Sequence, residues 1–329
     1  MRKGNEGESV KVLVTGGAGF IGSHLCEQLY AEHHKVAVID NLSTGSRSNL
    51  LCEQKSILGD ITSKEWFHAV DEFGPEAVVH LASQISVAKS IEDPLNDAIH
   101  NINGSLNVLG YCKDRGIKKF IFSSSAAVYG DTSSLPITEE AHISPKSPYG
   151  ISKCSVERYL EILQKEWGID CTILRFANVY GPRQDASGEG GVVSVFAKAI
   201  AQGVHPLIFG DGNQERDFVY VSDVARAILL ALNKPGGFTA NVSTGKPTSV
   251  MFLLTEMCSI YNLPPNYDQR QARAGDIYRS YLDNRFASEK LGWEPQTNLH
   301  LGLSQTLAWA INYYSYCSSD ITPRLTGSA

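Results

Sequence analysis

The sequence has no long apolar run and no dense basic run. No uninterrupted apolar stretch of the 329-residue chain is long enough to cross a bilayer. The net charge of −6 gives no support to binding of nucleic acid or of an anionic membrane. The segment MRKGNEGESV at the amino end lacks the apolar core of a signal peptide. We therefore expect a cytoplasmic protein with neither a nucleic-acid nor a membrane partner.

Cysteine is sparse and carries no metal-binding pattern. The chain has seven cysteines, an odd number, and none of them form a CxxC pair. Scattered thiols of this kind are typical of a reducing compartment, where they are buried or incidental. We expect neither a disulfide framework nor a metal site. The cysteines are Cys26, Cys52, Cys112, Cys154, Cys171, Cys258 and Cys317.

The most informative stretch is VKVLVTGGAGFIG, residues 10–22. A short, mostly β-branched run is typical of a buried strand, and Ile21, Leu25 and Leu29 then recur at helical spacing. A strand that turns through glycines into a helix presents backbone N–H groups and the positive helix end to an anion. Gly16 is suited to the tight turn and Gly19 to close approach of a pyrophosphate, and Gly22 would let the helix pack against the strand.

A second predicted strand, residues 36–39, ends at Asp40. This spacing from the glycines is typical of the acid that binds the adenosine ribose of a dinucleotide. An acid at that position would repel a 2′-phosphate, so the sequence favours NAD over NADP.

Strands and helices alternate through the first half of the chain. Further strands are predicted over residues 57–61, 77–81, 119–123 and 171–176, with helices from Pro94 and over residues 149–167. This alternation predicts an α/β fold with a doubly wound parallel sheet (a Rossmann fold) and a smaller C-terminal α/β substrate domain. We assign residues 1–176, with a return segment near 217–245, to NAD binding. Residues 177–216 and 246–329 are assigned to the substrate.

Two polar residues in this region have two readings each. The carboxylate of Asp60 could face the adenine amino group or cap a helix that begins near Ser63. His80 lies inside an apolar run, which favours a packed core histidine over a ligand.

The stretch SPYGISK places Tyr149 and Lys153 four residues apart at the start of a predicted helix, on one face. Tyrosine titrates near pH 10 and is a poor base at neutral pH. A nearby ammonium, together with a positive nicotinamide ring, would lower the pKa of the phenol. The serines at 123–125 follow a predicted parallel strand, whose carboxyl end is where ligands bind. A surface Tyr/Lys pair and a strand-end turn remain the structural alternatives.

These motifs, with RFANVYGP and ERDFVYVSDVA, resemble the extended short-chain dehydrogenase/reductase family. Within it they are most similar to the NAD-dependent UDP-glucose 4-epimerases, over residues 11–312. The resemblance implies that Tyr149 is the general base, that Lys153 is its electrostatic partner, and that Ser125 shares the substrate O4 proton. It also implies that Arg216 and Arg273 hold the diphosphate of a UDP-sugar and that Asp276 accepts from the uridine ribose.

The predicted sites extend along both ligands. The predicted cofactor contacts are Gly16, Gly19, Phe20, Ile21, Asp40, Asn41, Asp60, Ile61, Leu81, Ala82, Asn101, Ser123, Tyr149, Lys153 and Phe176. The predicted substrate contacts are Ser125, Tyr149, Asn178, Val193, Arg216, Arg273, Asp276 and Ser280. Surface ion pairs and local backbone contacts are the alternative roles for the two arginines, Asn101 and Asp276.

The resemblance implies a reaction in which C4 gives hydride to NAD, the 4-keto sugar turns over, and the hydride returns to the other face. Ser280 is small, so we expect UDP-GlcNAc and UDP-GalNAc to be accepted with UDP-Glc and UDP-Gal. Two helices, 95–111 and 149–167, resemble those of a homodimer interface in this family.

Other activities of the same fold stay open at this point. Ala126 and Ala127 stand where 4,6-dehydratases carry an acid pair, which argues against dehydration. Arg183 could bind the carboxylate of a uronic acid substrate, unless that residue braces its own loop. A decarboxylase, a ketoreductase or a non-catalytic NAD sensor are the remaining alternatives.

Overall fold

The computed structural model describes residues 9–51, 53–186, 191–272 and 277–316. The strands are β1 (Lys11–Thr15), β2 (Lys35–Asp40), β3 (Lys55–Leu58), β4 (Ala77–His80), β5 (Lys119–Ser125), β6 (Asp170–Phe176), β7 (Asn178–Tyr180), β8 (Leu207–Phe209), β9 (Glu215–Tyr220), β10 (Phe238–Val242), β11 (Pro247–Ser249), β12 (Asp268–Arg270) and β13 (Arg279–Ser280).

The helices are α1 (Phe20–Ala31), α2 (Phe67–Asp71), α3 (Val87–Glu92), α4 (Pro94–Ala98), α5 (Gly104–Arg115), α6 (Pro148–Trp167), α7 (Val192–Ala201), α8 (Val221–Leu232), α9 (Val250–Ile260), α10 (Arg285–Leu291) and α11 (Leu299–Tyr316). A π-helical turn, Ile99–Asn103, joins α4 to α5. None of the helices in the described ranges is apolar over a length that would span a membrane.

Seven parallel strands form the large sheet in the order β10-β6-β5-β4-β1-β2-β3. The strand order reverses at β1, between β2 and β4, which is where the predicted Rossmann fold binds its ligand. The fold class predicted from the alternation of strands and helices is therefore confirmed. The assignment of residue ranges to two ligand-binding domains stays a prediction.

Successive side chains of the central strands enter two separate cores. Val12 and Val14 pack with α1, α8 and α10 on one face, whereas Leu13 packs with α2, α5 and α6 on the other. This alternation is the two-residue period of a strand, and because both faces are covered the strand reads as a continuous apolar run. Both faces of the sheet thus carry helices.

The helix α6 begins and ends as its sequence predicts. The hydroxyl of Ser147 accepts a hydrogen bond from the N–H of Gly150 at 3.1 Å, and Pro148 occupies the first helical position. The helix ends at Gly168, whose φ of +62° is a left-handed conformation that glycine adopts without strain. Tyr149 is consequently fixed in the first turn.

The smaller sheet is built from β11, β9 and β13, with β7 paired to β9, and β8 and β12 form a separate pair. Its apolar side chains join those of α7, α9 and α11 in a third core. The segment near 217–245 is predicted to return to the NAD-binding part of the fold. Its helix α8 does so by packing on α1, but β9 belongs to the smaller sheet, where it pairs with β7, β11 and β13.

Two predicted helices differ from the structure. The helix that begins at Pro94 is interrupted by the π-helical turn, and α2 begins at Phe67 instead of near Ser63. Burial changes along this segment, since Leu109 is enclosed while Leu95 is 70% exposed.

Candidate active site

The glycine turn has the geometry that its sequence predicts. Gly16 has a φ of +71°, and its N–H donates to the carbonyl of Ile39 at 2.7 Å. A Cβ at Gly22 would lie 2.2 Å from the carbonyl oxygen of Gly16, so any side chain there would separate the helix from the turn. At Gly19 a Cβ would meet only that same oxygen, at 3.1 Å. Among the described residues, no other atom outside the neighbouring chain positions lies within 4 Å of such a Cβ.

Asp40 is held at the end of β2 by the turn itself. Its carboxylate accepts from the N–H of Ala18 at 3.0 Å and from that of Leu42 at 2.8 Å. Burial raises the pKa of this carboxyl, and the backbone hydrogen bonds partly offset the effect. The acid thus lies beside the glycine turn, where the spacing predicted it.

Asp60 caps a turn rather than a helix. Its Oδ1 accepts from the N–H and the hydroxyl of Thr62, at 2.8 and 2.7 Å, and its Oδ2 accepts from Asn41 at 2.9 Å. Burial acts to raise the pKa, but these hydrogen bonds leave the pKa of Asp60 below its ordinary value. The helix near Ser63 is absent because Asp60 and Ser63 instead form a turn, in which the N–H of Ser63 donates to the Asp60 carbonyl at 3.1 Å.

His80 is a packed core residue. Its Nδ1 lies 2.8 Å from the hydroxyl of Thr15 and its Nε2 lies 2.9 Å from that of Ser105. Burial, with a smaller effect from the Lys153 ammonium, lowers the pKa of His80 to about 3. The ring is therefore neutral, and the reading of His80 as a core histidine is confirmed.

The strand ends bring the remaining predicted cofactor residues to one edge of the large sheet. The N–H groups of Leu81 and Ala82 donate to Thr15, at 3.1 and 3.2 Å. Ile61 and Phe176 are each 6% exposed and belong to the two cores. Phe20, Ile21 and Ser123 lie on this edge as the first residues of α1 and a late residue of β5.

Ser125 and Tyr149 meet where β5 ends. Ser125 is the last residue of β5, and its hydroxyl accepts from the N–H of Ala127 at 3.2 Å. A side-chain hydrogen bond joins Ser125 to Tyr149 in the first turn of α6. Two residues that are 24 positions apart in the chain are thus in contact.

Lys153 lies one helical turn beyond Tyr149 and is 3% exposed. Its Nζ donates to the carbonyl of Ser123 at 2.9 Å and lies 5.8 Å from the centre of the Tyr149 ring. Burial lowers the pKa of Lys153 to about 8, while the charges of Asp97 and Glu157 act to raise it. The ammonium is therefore fixed next to the serine segment and the phenol ring.

The expectation that Lys153 and a nicotinamide ring together lower the pKa of Tyr149 stays a prediction, because it includes the charge of bound NAD. Burial raises the pKa of Tyr149 to about 12, the hydrogen bond from Ser125 lowers it less, and Asp97 raises it further. The lysine Nζ is directed at the Ser123 carbonyl instead of the phenol oxygen. A further positive charge is needed before this phenol can act as a base near neutral pH.

Asn101 lies in the π-helical turn with 2% exposure. Its side chain accepts from the N–H of Gln84 at 2.7 Å and donates to the carbonyl of Gln84 at 2.9 Å. These are the local backbone contacts that were the alternative to a cofactor role. They hold the loop that follows Leu81 and Ala82.

The predicted substrate residues lie on the smaller sheet and beside it. Arg216 on β9 and Ser280 on β13 are direct neighbours in the strand pairing, and Asn178 begins β7 as an exposed residue. Val193 is 1% exposed and packs in the third core. Arg273 and Asp276 lie outside the residues that the structure describes.

Arg183 braces its own loop. Its guanidinium forms a two-point contact with the carboxylate of Glu27, at 2.7 and 2.9 Å, and also contacts the ring of His24. Two parallel N–H···O bonds are the strongest arrangement for this pair. The uronic acid reading of Arg183 is therefore not supported, because its charge already has a partner.

Sequence reasoning missed the buried polar groups behind the site. Ser124 donates to Glu157, which pairs with Arg175 at 2.6 Å. Asp97 is 1% exposed and accepts from Gln84. Their partners are distant in the chain, so no local spacing signals them; the one available signal is charged residues inside otherwise apolar helical patterns.

These residues fit NAD. Gly16 and Gly22 allow the helix N-terminus to meet the turn without a side chain between them, and Asp40 provides a carboxylate suited to ribose hydroxyls. Among the described residues, no group of three or more His, Cys, Asp or Glu is placed to hold a metal ion.

Comparison with known proteins agrees with this geometry. The model of the NAD dependent epimerase/dehydratase family matches residues 12–242. The UDP-glucose 4-epimerase of Thermotoga maritima, solved with UDP-glucose, is 43% identical with a TM-score of 0.90, covering 92% of this chain and 99% of that one. The enzyme of the same name from Thermus thermophilus, solved with NAD, is 39% identical with a TM-score of 0.87, covering 91% and 98%.

A third similar structure is that of an enzyme named for a different sugar substrate. The UDP-N-acetylglucosamine 4-epimerase of Methanobrevibacter ruminantium, in complex with UDP-N-acetylmuramic acid, is 35% identical with a TM-score of 0.88 and covers 93% of this chain and all of that one. The family match spans most of the chain and includes the glycine turn, Ser125, Tyr149 and Lys153. This chain belongs to the NAD dependent epimerase/dehydratase family, and its cofactor is NAD.

Proposed function

We propose that this NAD-dependent nucleotide-sugar 4-epimerase inverts C4 of UDP-glucose and UDP-galactose through a 4-keto intermediate. The observation that carries the proposal is the contact of Ser125 with Tyr149 beside the buried ammonium of Lys153, at the edge of the sheet where the glycine turn opens. The name of the similar Thermotoga maritima enzyme, and the UDP-glucose in its structure, support the same reaction.

Tyr149 is the group that we propose removes the proton from O4 and later returns it. When bound, NAD supplies the hydride acceptor and donor and a positive charge that favours the phenolate. Ser125 accepts or donates at the same oxygen and relays the proton to Tyr149 through their hydrogen bond. Lys153, held by the Ser123 carbonyl, keeps a positive charge near the phenol ring throughout.

Inversion requires the keto sugar to present its other face while the rest of the substrate stays bound. We therefore propose that the nucleotide diphosphate is the anchored part. Arg216, on the smaller sheet, is the described candidate for the diphosphate, since guanidinium offers paired donors to phosphate oxygens. Asn178 begins the neighbouring strand β7, two residues after the end of β6. Arg273 and Asp276 complete this proposed anchor by family resemblance.

The pocket for the sugar is proposed to accept an N-acetyl group. Ser280 is the cross-strand neighbour of Arg216, so its side chain is close to the proposed diphosphate anchor. A serine occupies far less volume than an aromatic residue would at this position. The Methanobrevibacter ruminantium enzyme named for UDP-N-acetylglucosamine supports this wider substrate range.

Two alternative activities lose support from particular residues. Ala126 and Ala127 form the turn directly after Ser125, and an alanine cannot transfer a proton, which disfavours 4,6-dehydration. Arg183 is paired with Glu27, which disfavours a uronate substrate. A decarboxylase, a ketoreductase or a non-catalytic NAD sensor would be indicated by a chain that binds NAD and leaves every UDP-sugar unepimerised.

We also propose that two copies of the chain associate through α3, α4 and α6. Large apolar side chains are exposed on these adjacent helices, among them Ile91, Leu95, Ile151 and Ile162. An exposed apolar patch of this kind is typical of a protein interface. We propose that a second copy of this chain covers the patch, because the helices resemble those of the homodimer interface in the family of UDP-glucose 4-epimerases.

The experiment that tests the reaction is the Tyr149→Phe variant. We expect the 4-epimerisation of UDP-galactose to slow by about 10²–10⁴-fold, because the proton-transfer group is lost. Bound NAD, measured by release and absorbance, should stay near the level of the unmodified protein. Tyr30→Phe, at an exposed tyrosine on α1, is the matched control and should leave the rate unchanged. Full activity of Tyr149→Phe would contradict the proposal.

A further inference from the structure

Asp97 is a buried acid that the proposed mechanism leaves without a role. It lies on α4 with 1% exposure. Its Oδ1 accepts from Gln84 and from Asn101, both at 2.9 Å, and its Oδ2 accepts from the hydroxyl of Ser152 at 2.5 Å. The three donors belong to the loop after β4, the π-helical turn and α6. One side chain thus connects three segments around the site.

The three donors satisfy the carboxylate oxygens but carry no charge. A buried carboxylate is costly unless a cation or several donors stabilise it. The charge of Asp97 raises the pKa of Lys153, the residue next to Ser152. The other ionisable groups packed here are engaged or neutral, since Glu157 is paired with Arg175 and His80 is uncharged. The charge of Asp97 therefore acts chiefly on Lys153 and Tyr149.

We propose that Asp97 is a positioning residue for the reaction: this buried carboxylate, bonded to Ser152, fixes the first turns of α6 against the loop after β4 and acts electrostatically on Tyr149 and Lys153 in those turns. The inference rests on the proposed function, because it assigns Asp97 to the same proton transfer. Asp97 acts through these residues and is not assigned any contact with the substrate.

The sign of the effect follows from the charge. A negative charge stabilises the protonated form of every nearby group, so Asp97 raises the pKa of Lys153 and of Tyr149 alike. Removing the charge should lower both values together. Activity that needs a deprotonated Tyr149 and a protonated Lys153 should then shift as a whole towards lower pH, on both limbs of the profile.

Asp97→Asn tests the charge, because asparagine keeps the size of the side chain. Lysine labelled with carbon-13 at Cε allows the titration of Lys153 to be followed by NMR in the NAD-loaded protein. The Lys153 resonance is identified by its absence from a Lys153→Met variant. We expect its midpoint to fall by roughly one pH unit in Asp97→Asn. The pH profile of kcat should move in the same direction.

Ser152→Ala is the matched control, since it removes a hydrogen bond to Asp97 and leaves the charge. We expect an unchanged Lys153 midpoint and a kcat several-fold lower at similar KM. Asp97→Glu, which keeps the charge, should retain the unmodified midpoint. An Asp97→Asn protein whose Lys153 midpoint and pH profile do not move would overturn the inference.

The outcomes separate this inference from the reaction itself. If the unmodified protein epimerises no UDP-sugar, the proposed function fails, and the NMR titration still decides whether Asp97 acts on Lys153. If Asp97→Asn does not fold, Ser152→Ala decides the positioning role, which an unchanged kcat would refute.

Discussion

Arg175→Met should lower the free energy of unfolding by about 3–5 kcal/mol, because it leaves a buried carboxylate without its cation. Arg175 and Glu157 have side chains that are 6% and 3% exposed, and their closest N–O distance is 2.6 Å. Burial acts to lower the pKa of Arg175, but the pairing with Glu157 holds it above the ordinary value. After the substitution, the hydroxyl of Ser124 is the described hydrogen-bond partner that Glu157 keeps.

A double-mutant cycle separates the pair from its surroundings. Adding Glu157→Gln to Arg175→Met removes the stranded charge and keeps an acceptor for Ser124, so most of the lost free energy should return. The surface pair Arg158–Glu161, with side chains 60% and 44% exposed at 2.8 Å, is the matched control. Arg158→Met should cost no more than about 1 kcal/mol.

Urea unfolding of the NAD-loaded protein measures Arg175→Met, Glu157→Gln, the double variant and Arg158→Met against the unmodified chain. Equal losses for Arg175→Met and Arg158→Met would refute the reasoning, because burial would then have no effect on the cost. Strict additivity in the cycle would refute the assignment of the loss to the pair.

Three further predictions concern the ligands and the assembly. Gly22→Ala should lose bound NAD, since its Cβ would lie 2.2 Å from the Gly16 carbonyl oxygen; an NAD content equal to that of the unmodified protein, measured by absorbance after release, would contradict this. Ser280→Tyr should lose activity on UDP-GalNAc by at least about tenfold more than on UDP-Gal, measured by product NMR, because the larger side chain would exclude the acetyl group; equal losses would refute the role of Ser280. Leu95→Arg combined with Ile162→Arg should give a monomer mass in light scattering, whereas Phe252→Arg, at an exposed apolar residue on α9, should leave a dimer mass; a dimer mass for the double variant would refute the proposed interface.

Short-range patterns predicted six of the seven strands of the large sheet, all but β10, and the helix that carries Tyr149 and Lys153. The run from strand to glycine turn to helix is encoded within residues 10–22, and Tyr149 and Lys153 share a helix face through their spacing. Each of these features depends on neighbours within a few positions. The rule that ligands bind at the carboxyl ends of parallel strands placed the serines at 123–125 near the site, whereas the shared role of Ser125 and Tyr149 was implied only by the family resemblance.

Features that depend on distant partners were not predictable from spacing. Arg183 and Glu27 are 156 positions apart, so the pairing that occupies Arg183 is visible only in the fold. Asp97 reads in the sequence as an ordinary acid in the first turn of a helix, where acids favour the helix dipole. Its burial follows from the packing of α4 and the π-helical turn against α6.

The pKa of Tyr149 depended on burial, which residue spacing does not report. The four-residue spacing correctly placed Lys153 beside the tyrosine, yet the lysine Nζ is directed at the Ser123 carbonyl and burial dominates the phenol. The direction in which the pKa of Tyr149 shifts can therefore be predicted only from the three-dimensional surroundings of its phenol group.

The most direct test of the central claim is a product assay by NMR on purified protein without added NAD. UDP-Gal, UDP-GalNAc and UDP-GlcA are supplied separately. The account predicts conversion of UDP-Gal and UDP-GalNAc to their C4 epimers by retained cofactor, and no conversion of UDP-GlcA, because Arg183 is paired with Glu27. If all three sugars remained unchanged even after NAD was added, the assignment of Ser125, Tyr149 and Lys153 to 4-epimerisation would be contradicted.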